Sequence, residues 1–299
     1  MKKIYINGIA VSCLIGSVFL FLFISASCAA GSGTAAHQHE DHSHKVHSGA
    51  GISLLSEPVK LIAGGPAVLT FNIKDDRGGP AKDISISHDR ILHVIIISED
   101  MRVFAHIHPE DFGNITPEII DSAQFIVRYN FPSAGRYLIA ADASVNNTHV
   151  SGHFMVEVTG SPVMGALRRD LAKEKKFGDY DVKLTSTPER IAAKKETVLR
   201  YEIRENGGPV TELESYLSAP MHVAVVLNDM SDFIHAHGTV PSDHAGHHPV
   251  GHIHASSGDR FGPVIEANVV FPVKGTYSIF SEVKHRGRVL LMNFMVEVE

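Results

Sequence analysis

Two stretches of the chain place histidines at the same spacing. Residues 91–109 read ILHVIIISEDMRVFAHIHP, and residues 220–238 read PMHVAVVLNDMSDFIHAHG. Each has a His in an apolar run, then a polar turn with a Met, then a His-x-His pair. The equivalent residues are His93, Met101, His106 and His108 in the first stretch and His222, Met230, His235 and His237 in the second. Neutral imidazole is a common ligand of zinc, copper and nickel, so the indicated chemistry is transition-metal binding.

Each stretch is predicted to form an antiparallel hairpin. With Glu99 and Asp100 at the centre of the first turn, His93 lies opposite His106, with Cβ atoms about 4.5–5.5 Å apart. His108 shares the face of His106 because side chains alternate along a strand. Three imidazoles therefore converge, unless the loop has an odd number of residues, because a slip of one residue reverses every face.

The second hairpin follows the same construction. A turn centred on Asn228 and Asp229 places His222 opposite His235, with His237 on the same face. The opposite face of each hairpin is apolar and is predicted to face the core: Leu92, Val94, Ile96, Val103, Ala105 and Ile107 in the first, and Val223, Val225, Leu227, Ile234 and Ala236 in the second. Met101 and Met230 are expected to pack at the turn or in the core. A simpler interpretation of the histidines, as strand residues hydrogen-bonded to nearby loops, stays open.

Two further tracts are rich in histidine. Residues 29–51 form a Gly/Ser/Ala-rich tether that carries His37, His39, His42, His44 and His47. A loop at 238–263 follows the second His-x-His pair and carries His244, His247, His248, His252 and His254. Short His-rich tracts are compositional candidates for metal binding. We expect the loop histidines to complete or supply the second hairpin site, and the tether to be a solvated linker or a weak metal-loading segment.

The N-terminus has the pattern of a targeting segment. Lys2 and Lys3 precede an apolar run, which ends at Ser25-Ala26-Ser27-Cys28. Residues 1–28 therefore resemble a bacterial lipoprotein signal, with Cys28 as the lipidated residue. Ordinary signal cleavage near Ala29 and an uncleaved anchor are the alternatives. All three predict an extracytoplasmic protein in the cell envelope, in the periplasm or at the outer surface.

Length and composition limit the classes of protein. The chain has 299 residues, enough for two domains, and a formal net charge of −6, which gives no indication of nucleic-acid binding. Its two cysteines, Cys13 and Cys28, both lie in the targeting segment. A disulfide or thiolate site in the folded body is therefore excluded, and a metal site there must use His, Met, Asp or Glu.

The rest of the chain predicts an all-β fold that occurs twice. Short candidate strands separated by turn signals indicate two tandem immunoglobulin-like antiparallel β-sandwiches, at 52–159 and 179–299. The order of features repeats: Phe-Pro-x-x-Gly-x-Tyr ends at Tyr137 and again at Tyr277, and Phe-Met-Val-Glu-Val ends both halves. Both tyrosines are expected to brace the fold. The charged run ALRRDLAKEKK predicts a short helix in a linker at 160–178.

Other polar residues are weaker candidates. Asp142 and Glu282 occupy equivalent positions, and each is interpreted as a metal ligand, a hydrogen-bond partner of an imidazole or, by preference, a surface residue. Three histidines without His counterparts in the other half, and one that falls in a loop, are expected to be ordinary surface residues: His149, His153 and His285, and His88.

With these motifs in view, both halves resemble YtkA-like domains. The resemblance rests on the His-Val-aliphatic run, on Phe104–His108 and Phe233–His237, and on the Phe-Pro-x-x-Gly-x-Tyr motif, and it covers most of 67–158 and 197–298. It implies secreted immunoglobulin-like sandwiches that bind a transition metal, copper first among them. Ala236 and Gly238 depart from Ile107 and Pro109, so we expect the two sites to differ in affinity, or one of them to be vestigial.

The sequence as a whole predicts a non-enzymatic envelope protein that binds copper, or zinc or nickel, for buffering, resistance or delivery. The expected partners are the metal ions, a metal efflux system or metallochaperone, and the membrane through the lipid anchor. One alternative is a partner-binding or adhesive sandwich protein with incidental histidine tracts. Another is a metal-dependent enzyme, although no nucleophile elbow, phosphate loop or His-Glu-x-x-His motif is present.

Overall fold

The structure, a computed structural model, describes residues 5–6, 9–10, 51–161, 168–241, 255–256 and 258–299. Strands β1 (Tyr5–Ile6) and β2 (Ile9–Ala10) belong to the N-terminal segment. Cys28, the five tether histidines and the five loop histidines lie outside the described residues, so the predictions about them remain predictions. No helix in the described ranges is both long and apolar enough to cross a membrane.

The first sandwich contains two sheets, which are antiparallel except where β4 pairs with β11 in parallel. Its strands are β3 (Gly51–Glu57), β4 (Leu61–Ile62), β5 (Pro66–Lys74), β6 (Ile84–Ser85), β7 (His93–Ser98), β8 (Val103–Ile107), β9 (Gln124–Asn130), β10 (Gly135–Val145) and β11 (Thr148–Thr159). One sheet has the order β8-β7-β10-β11-β4, extended at β8 by β1 and β2, with β6 also paired to β10. The other is β3-β5-β9. A 3-10 helix (Pro109–Asp111) and helix α1 (Pro117–Ser122) connect β8 to β9.

The second sandwich repeats this arrangement. Its strands are β12 (Glu174–Phe177), β13 (Tyr180–Thr187), β14 (Glu196–Glu205), β15 (Gly208–Pro209), β16 (Leu213–Glu214), β17 (His222–Leu227), β18 (Phe233–Thr239), β19 (Arg260–Phe261), β20 (Val264–Val270), β21 (Gly275–His285) and β22 (Arg288–Val298). β18 pairs with β17 and, through its last residues, with β20. The two layers are therefore hydrogen-bonded into one continuous sheet, unlike those of the first sandwich. The expected fold class, two tandem immunoglobulin-like sandwiches, is confirmed.

The described part of the linker, residues 168–178, contains no helix. Residues 174–177 form β12, which pairs with β13, and Phe177 packs edge-on against Phe294 with ring centroids 5.6 Å apart. Lys183 forms an ion pair with Glu174 across the two strands, at 2.9 Å. Sheet pairing and burial of Phe177 thus override the helical preference of the charged run, since propensity is a weak effect that tertiary contacts routinely outweigh.

Each hairpin presents the predicted apolar face to its own core. In the first core, Leu92, Val94 and Ile96 are fully buried, beside β5 residues that alternate inward. In the second, Val223 and Val225 are fully buried, and Ile234 and Ala236 pack at its edge. The predicted core faces are therefore confirmed.

The two tyrosines brace the sandwiches in the same way. The Tyr137 hydroxyl donates to the Ser133 carbonyl at 2.9 Å, and the Tyr277 hydroxyl donates to the Val273 carbonyl at 2.9 Å. Both rings are fully buried. This is the tyrosine corner of immunoglobulin-like domains, as the sequence predicts.

A third apolar cluster joins the two sandwiches. It contains Ile95, Ile97, Met101, Phe104, Leu138 and Ala140 from the first and Ala224, Val226, Met230 and Phe280 from the second. Phe104 stacks on Phe280 with ring centroids 4.8 Å apart and planes 13° from parallel. The second faces of the two hairpins, which carry the histidines, thus pack against each other. Met101 and Met230 are buried there, in agreement with the packing role expected for them.

Candidate metal centre

The register of both hairpins differs from the predicted one by two residues. β7 and β8 pair Ile95 with His106 and Val94 with Ile107, so His93 lies level with His108 rather than His106. In the second hairpin, His222 pairs directly with His237. The predicted opposite pairs are therefore wrong, because four residues, 99–102 and 228–231, lie between the last opposed residues instead of two.

The first loop is closed by its own side chains. Val103 N donates to Ser98 Oγ at 2.9 Å, and Met101 N donates to the Ser98 carbonyl at 2.9 Å. Met101 adopts a left-handed conformation with φ of 57°, as Met230 does with φ of 67°. A change of two residues moves the register without exchanging the faces of a strand, so the predicted convergence of the histidines survives.

The first triad, defined as His93, His106 and His108, brings three ring nitrogens together. His93 Nδ1 lies 3.1 Å from His106 Nε2 and 3.3 Å from His108 Nε2, and the latter two nitrogens are 3.1 Å apart. The three residues are 4%, 5% and 0% exposed, respectively. Three nitrogens at the corners of so small a triangle, out of contact with water, are arranged to face a single small cation.

The second triad, defined as His222, His235 and His237, is the equivalent group in the second sandwich. His222 Nδ1 lies 3.4 Å from His235 Nε2. The His237 ring centroid lies 4.6 Å from that of His222 and 4.9 Å from that of His235. His222 is buried, whereas His235 and His237 are partly exposed.

The two triads form one cluster across the interface between the sandwiches. Ring centroids of His93 and His106 lie 5.4–5.9 Å from those of His222 and His235. One nitrogen from each of these four residues lies within 4.8 Å of the others. The sequence leaves open whether the two hairpins form separate sites or one shared site, and the packing of the sandwiches brings them together.

The outer nitrogens of the first triad all meet hydrogen-bond acceptors. His93 Nε2 donates to the Ser87 carbonyl at 2.9 Å. His106 Nδ1 donates to Glu282 at 2.8 Å, and His108 Nδ1 donates to Asp111 at 3.3 Å. A neutral imidazole carries one proton, so these acceptors fix it on the outer nitrogen and leave a lone pair on each inner nitrogen.

The second triad repeats this control of the tautomer. His222 Nε2 donates to the Leu217 carbonyl at 3.2 Å, and His235 Nδ1 donates to Asp142 at 3.1 Å. The carboxylates act reciprocally: Asp142 of the first sandwich holds a histidine of the second, and Glu282 of the second holds His106 of the first. Carboxylate partners of this kind orient metal-ligating histidines and make them more basic.

Burial sets the protonation of the cluster. Desolvation, followed by repulsion from neighbouring imidazoles, holds the pKa values of His93, His106 and His222 well below 6.5. Burial alone would raise the pKa of Asp142, but hydrogen bonds from His149 and His235 outweigh it and hold that pKa below its ordinary range. Neutral imidazoles beside ionised carboxylates are the forms that bind a metal cation.

Several residues expected at the surface lie elsewhere. Asp142 and Glu282 are buried, 6% and 9% exposed, because the opposite sandwich covers them. His285 is buried and bonded to the Tyr180 hydroxyl at 2.8 Å, away from the triads. His88 is partly buried and stacks on His237, with ring centroids 3.7 Å apart. The surface interpretation of these four residues is wrong.

The remaining two histidines fit that interpretation better. His149 is exposed, although its Nε2 lies 3.2 Å from Asp142. His153 is exposed and packs edge-on against Phe233. One sequence signal could have revealed the interface: β7 reads HVIIIS and is apolar at nearly every position, which is typical of a strand buried on both faces.

Comparison with solved structures gives only distant likenesses. The Escherichia coli adhesin FdeC is 10% identical, with a TM-score of 0.25, over 85% of this chain and 65% of that one. The Yersinia pseudotuberculosis adhesin InvE is 11% identical, with a TM-score of 0.23, over 82% and 58%. Domains 4 and 5 of the S-layer protein SbsC are 12% identical, with a TM-score of 0.22, over 83% and 98%. The chain spans about two thirds or less of the two adhesin structures, and scores this low carry no argument about function.

Comparison at the level of sequence is more specific. No curated protein matches the chain. A family profile described as "Domain of unknown function (DUF8832)" matches it twice, at residues 44–160 and 175–299. Each match contains one complete triad and the carboxylate that serves the other triad. The chain belongs to the DUF8832 family, as a tandem pair of its domains.

Proposed function

We propose that this chain is an extracytoplasmic protein that binds a transition-metal ion between its two sandwiches, without catalysing a reaction. The first triad supplies three ligands, and His235 supplies a further imidazole from the other side. One observation carries this proposal: the three inner nitrogens of the first triad lie 3.1–3.3 Å apart. Each of them has a free lone pair for a metal ion, because the proton of each ring is held on the outer nitrogen by a hydrogen-bond acceptor.

The spacing suits a metal ion. Metal–nitrogen bonds of about 2.0–2.1 Å in tetrahedral geometry separate two ligand nitrogens by about 3.3 Å. Lone pairs that face each other at such distances repel, and they do so more strongly in a site shielded from water. A bound cation converts this repulsion into attraction, whereas protonation is opposed by the depressed pKa values of His93 and His106.

The ligand type narrows the choice of metal. An all-imidazole set suits copper(II), zinc and nickel, and copper(II) binds most tightly in the general order of affinities. We therefore propose copper as the physiological ion, with buffering, resistance or delivery as the role. Lipid anchoring at Cys28, the YtkA-like relationship and a metal efflux system or metallochaperone as partner belong to the same proposal and rest on sequence.

Binding without catalysis follows from how the nitrogens are used. In the first triad, each outer nitrogen donates to an acceptor and each inner nitrogen faces the proposed ion. No nitrogen of that triad is left to act as a general base. The side chains are also nearly inaccessible to a substrate, at 0–5% exposure.

The test must separate the triads from the histidine tracts. We define the tract-free chain as the full chain with all ten histidines of 37–47 and 244–254 replaced by serine. Isothermal titration with copper(II), and separately with zinc and nickel, is expected to show tight binding by the tract-free chain. The variant H93A/H106A in this background is expected to lose it. The proposal would be contradicted if tight metal binding were absent from the tract-free chain, or if it were unchanged in H93A/H106A.

A partner-binding role is the second candidate. The sandwich fold alone is compatible with many functions, among them the binding of a partner. An adhesive role predicts that capture of a partner continues in the presence of a chelator and in H93A/H106A. Metal binding at the triads predicts instead that the binding of copper(II) measured by titration is lost both in the presence of a chelator and in H93A/H106A.

A further inference from the structure

We propose that the cluster contains a second metal position, formed by His88 of the first sandwich with His222 and His237 of the second. This inference rests on the proposed function and deepens it, because it makes the centre a two-ion site with unequal halves. His88 was expected to be a surface residue of a loop, and the structure places it in the cluster.

A short hairpin tip holds His88 in place. Ser87 and Arg90 exchange two backbone hydrogen bonds, at 2.9 and 3.1 Å, around His88 and Asp89. Both central residues are left-handed, with φ of 50° and 61°, as in the tight two-residue turns of hairpins. The tip is also tied across the interface, because the Ser218 hydroxyl donates to Asp89 Oδ1 at 2.6 Å. The His88 backbone is therefore fixed against the second sandwich.

The His88 ring faces two histidines of the second triad. It stacks on His237, with centroids 3.7 Å apart and planes 19° from parallel, and lies edge-on to His222 at 5.8 Å. One nitrogen from each of the three residues lies within 4.8 Å of the other two. A bound ion requires nitrogens about 3.3 Å apart with converging lone pairs, so the His88 ring must turn out of its stack on His237 to complete the site.

The other sandwich has the same tip without a histidine. Tyr216 and Ala219 exchange the same pair of hydrogen bonds, and Leu217 and Ser218 have φ of 52° and 55°. Leu217 is thus the counterpart of His88. Since leucine occupies the equivalent backbone conformation, the turn itself does not require an imidazole at this position.

The hydrogen-bond surroundings of the two His-x-His pairs also differ. His108 donates its outer nitrogen to Asp111, whereas the position equivalent to Asp111 is Val240. In the second sandwich, His88 approaches the equivalent histidine instead. Three ligands, two of them partly exposed, leave a coordination position that a donor from outside can fill.

The experiment counts ions. The tract-free chain is titrated with cobalt(II), and bound ions are counted by native mass spectrometry and by d–d absorption. Two ions per chain are expected. H88N is expected to bind one, because asparagine tolerates the left-handed conformation and so preserves the tip. H88L, which copies the other sandwich, is expected to do the same.

H153N is the matched control, because the counterpart of His153 is Asn293 and its ring lies outside both triads; it is expected to keep two ions. Two ions in H88N with unchanged affinity would overturn the inference. One ion in the tract-free chain, kept in H88N and lost in H93A/H106A, would overturn the second position and leave the proposed function standing. No tightly bound ion in the tract-free chain would overturn both.

Discussion

The two sandwiches carry the same histidine hairpin but enclose it differently. In the first, Pro109 ends the strand after Ile107 and starts the 3-10 helix that brings Asp111 to His108. In the second, Gly238 lets β18 continue to Thr239 and pair with β20. A Cβ at position 238 would lie 2.7 Å from side-chain atoms of Ile265 and Met221, which explains the glycine.

This difference separates a closed half of the centre from an open half. The first triad is at most 5% exposed, and an acceptor holds the outer nitrogen of every ring. The second triad is partly exposed at His235 and His237 and receives His88 from the other sandwich. Duplication thus provided a symmetric frame, and divergence after the His-x-His pair gave its halves unequal access to solvent.

The largest expected effect is on the affinity for copper(II), and it differs between the two triads. H93A/H106A is expected to weaken copper(II) binding on the order of 1000-fold, because binding free energies of about 10–16 kcal/mol are shared among few ligands. H222A/H235A is expected to weaken the tight site less, since the first triad stays intact, and to abolish the second ion. Titration calorimetry on the tract-free chain measures both. Equal losses in the two double variants would contradict an unequal centre.

The second prediction concerns the apolar contact between the halves. Phe104 is 6% exposed and stacks on Phe280, whereas its counterpart Phe233 is partly exposed against His153. F104A is expected to lower the free energy of unfolding by about 3 kcal/mol, and F233A by clearly less. Urea denaturation in the presence of a chelator provides the comparison. A larger loss of unfolding free energy in F233A than in F104A would contradict the greater contribution to stability that is assigned to Phe104.

The third prediction uses the reciprocal carboxylates. E282Q is expected to weaken the tight site about 10- to 100-fold, because Glu282 fixes the tautomer of His106. D142N is expected to weaken the tight site less, because Asp142 orients His235, which approaches that ion from the other sandwich. E99Q, at an exposed ion pair with Arg136, is the control and should leave both ions unchanged. If E282Q and E99Q changed the metal affinity equally, the role assigned to Glu282 would be contradicted.

The smallest effect is that of pH on the metal-free chain. The folded-state pKa values of His93, His106 and His222 are lowered by burial, so below about pH 6.5 the unfolded chain binds more protons. Their contribution to stability is complete above pH 6.5 and is lost as the pH falls toward the folded pKa values. The free energy of unfolding, measured with chelator, should therefore be lower at pH 5.5 than at pH 7.5.

His149 opposes this trend, because its hydrogen bond to Asp142 raises its pKa and its contribution is largest at low pH. Because His149 is one exposed residue and the triads contribute three buried ones, the triads set the sign of the change in stability with pH. In H93A/H106A the pH dependence should shrink. A metal-free chain that is more stable at pH 5.5 than at pH 7.5 would contradict the depressed pKa values.

The sequence predicts the local geometry better than the assembly. The spacing within each hairpin puts three histidines on one face for any even loop, so the change from a two-residue to a four-residue loop altered the pairs and kept the cluster. The docking of the two faces depends on contacts between residues more than 100 positions apart, such as His106 with Glu282. Hairpin periodicity contains no information about such contacts.

His88 shows the same limit at a single residue. Its tip is short and polar, and neither its spacing nor its neighbours distinguish it from a surface loop. Only the tie between Asp89 and Ser218, which are equivalent positions of the two sandwiches, brings the ring to His237. By contrast, the unbroken apolar run of β7 was a readable signal of a strand covered on both faces.

X-ray absorption spectroscopy of the tract-free chain loaded with one equivalent of copper(II) tests the central claim most directly. A first shell of at least three nitrogens at about 2.0 Å with outer-shell imidazole scattering is expected, and H93A/H106A is expected to lose it. A first shell dominated by oxygen, or an imidazole shell that H93A/H106A leaves unchanged, would contradict a metal centre shared between the two sandwiches.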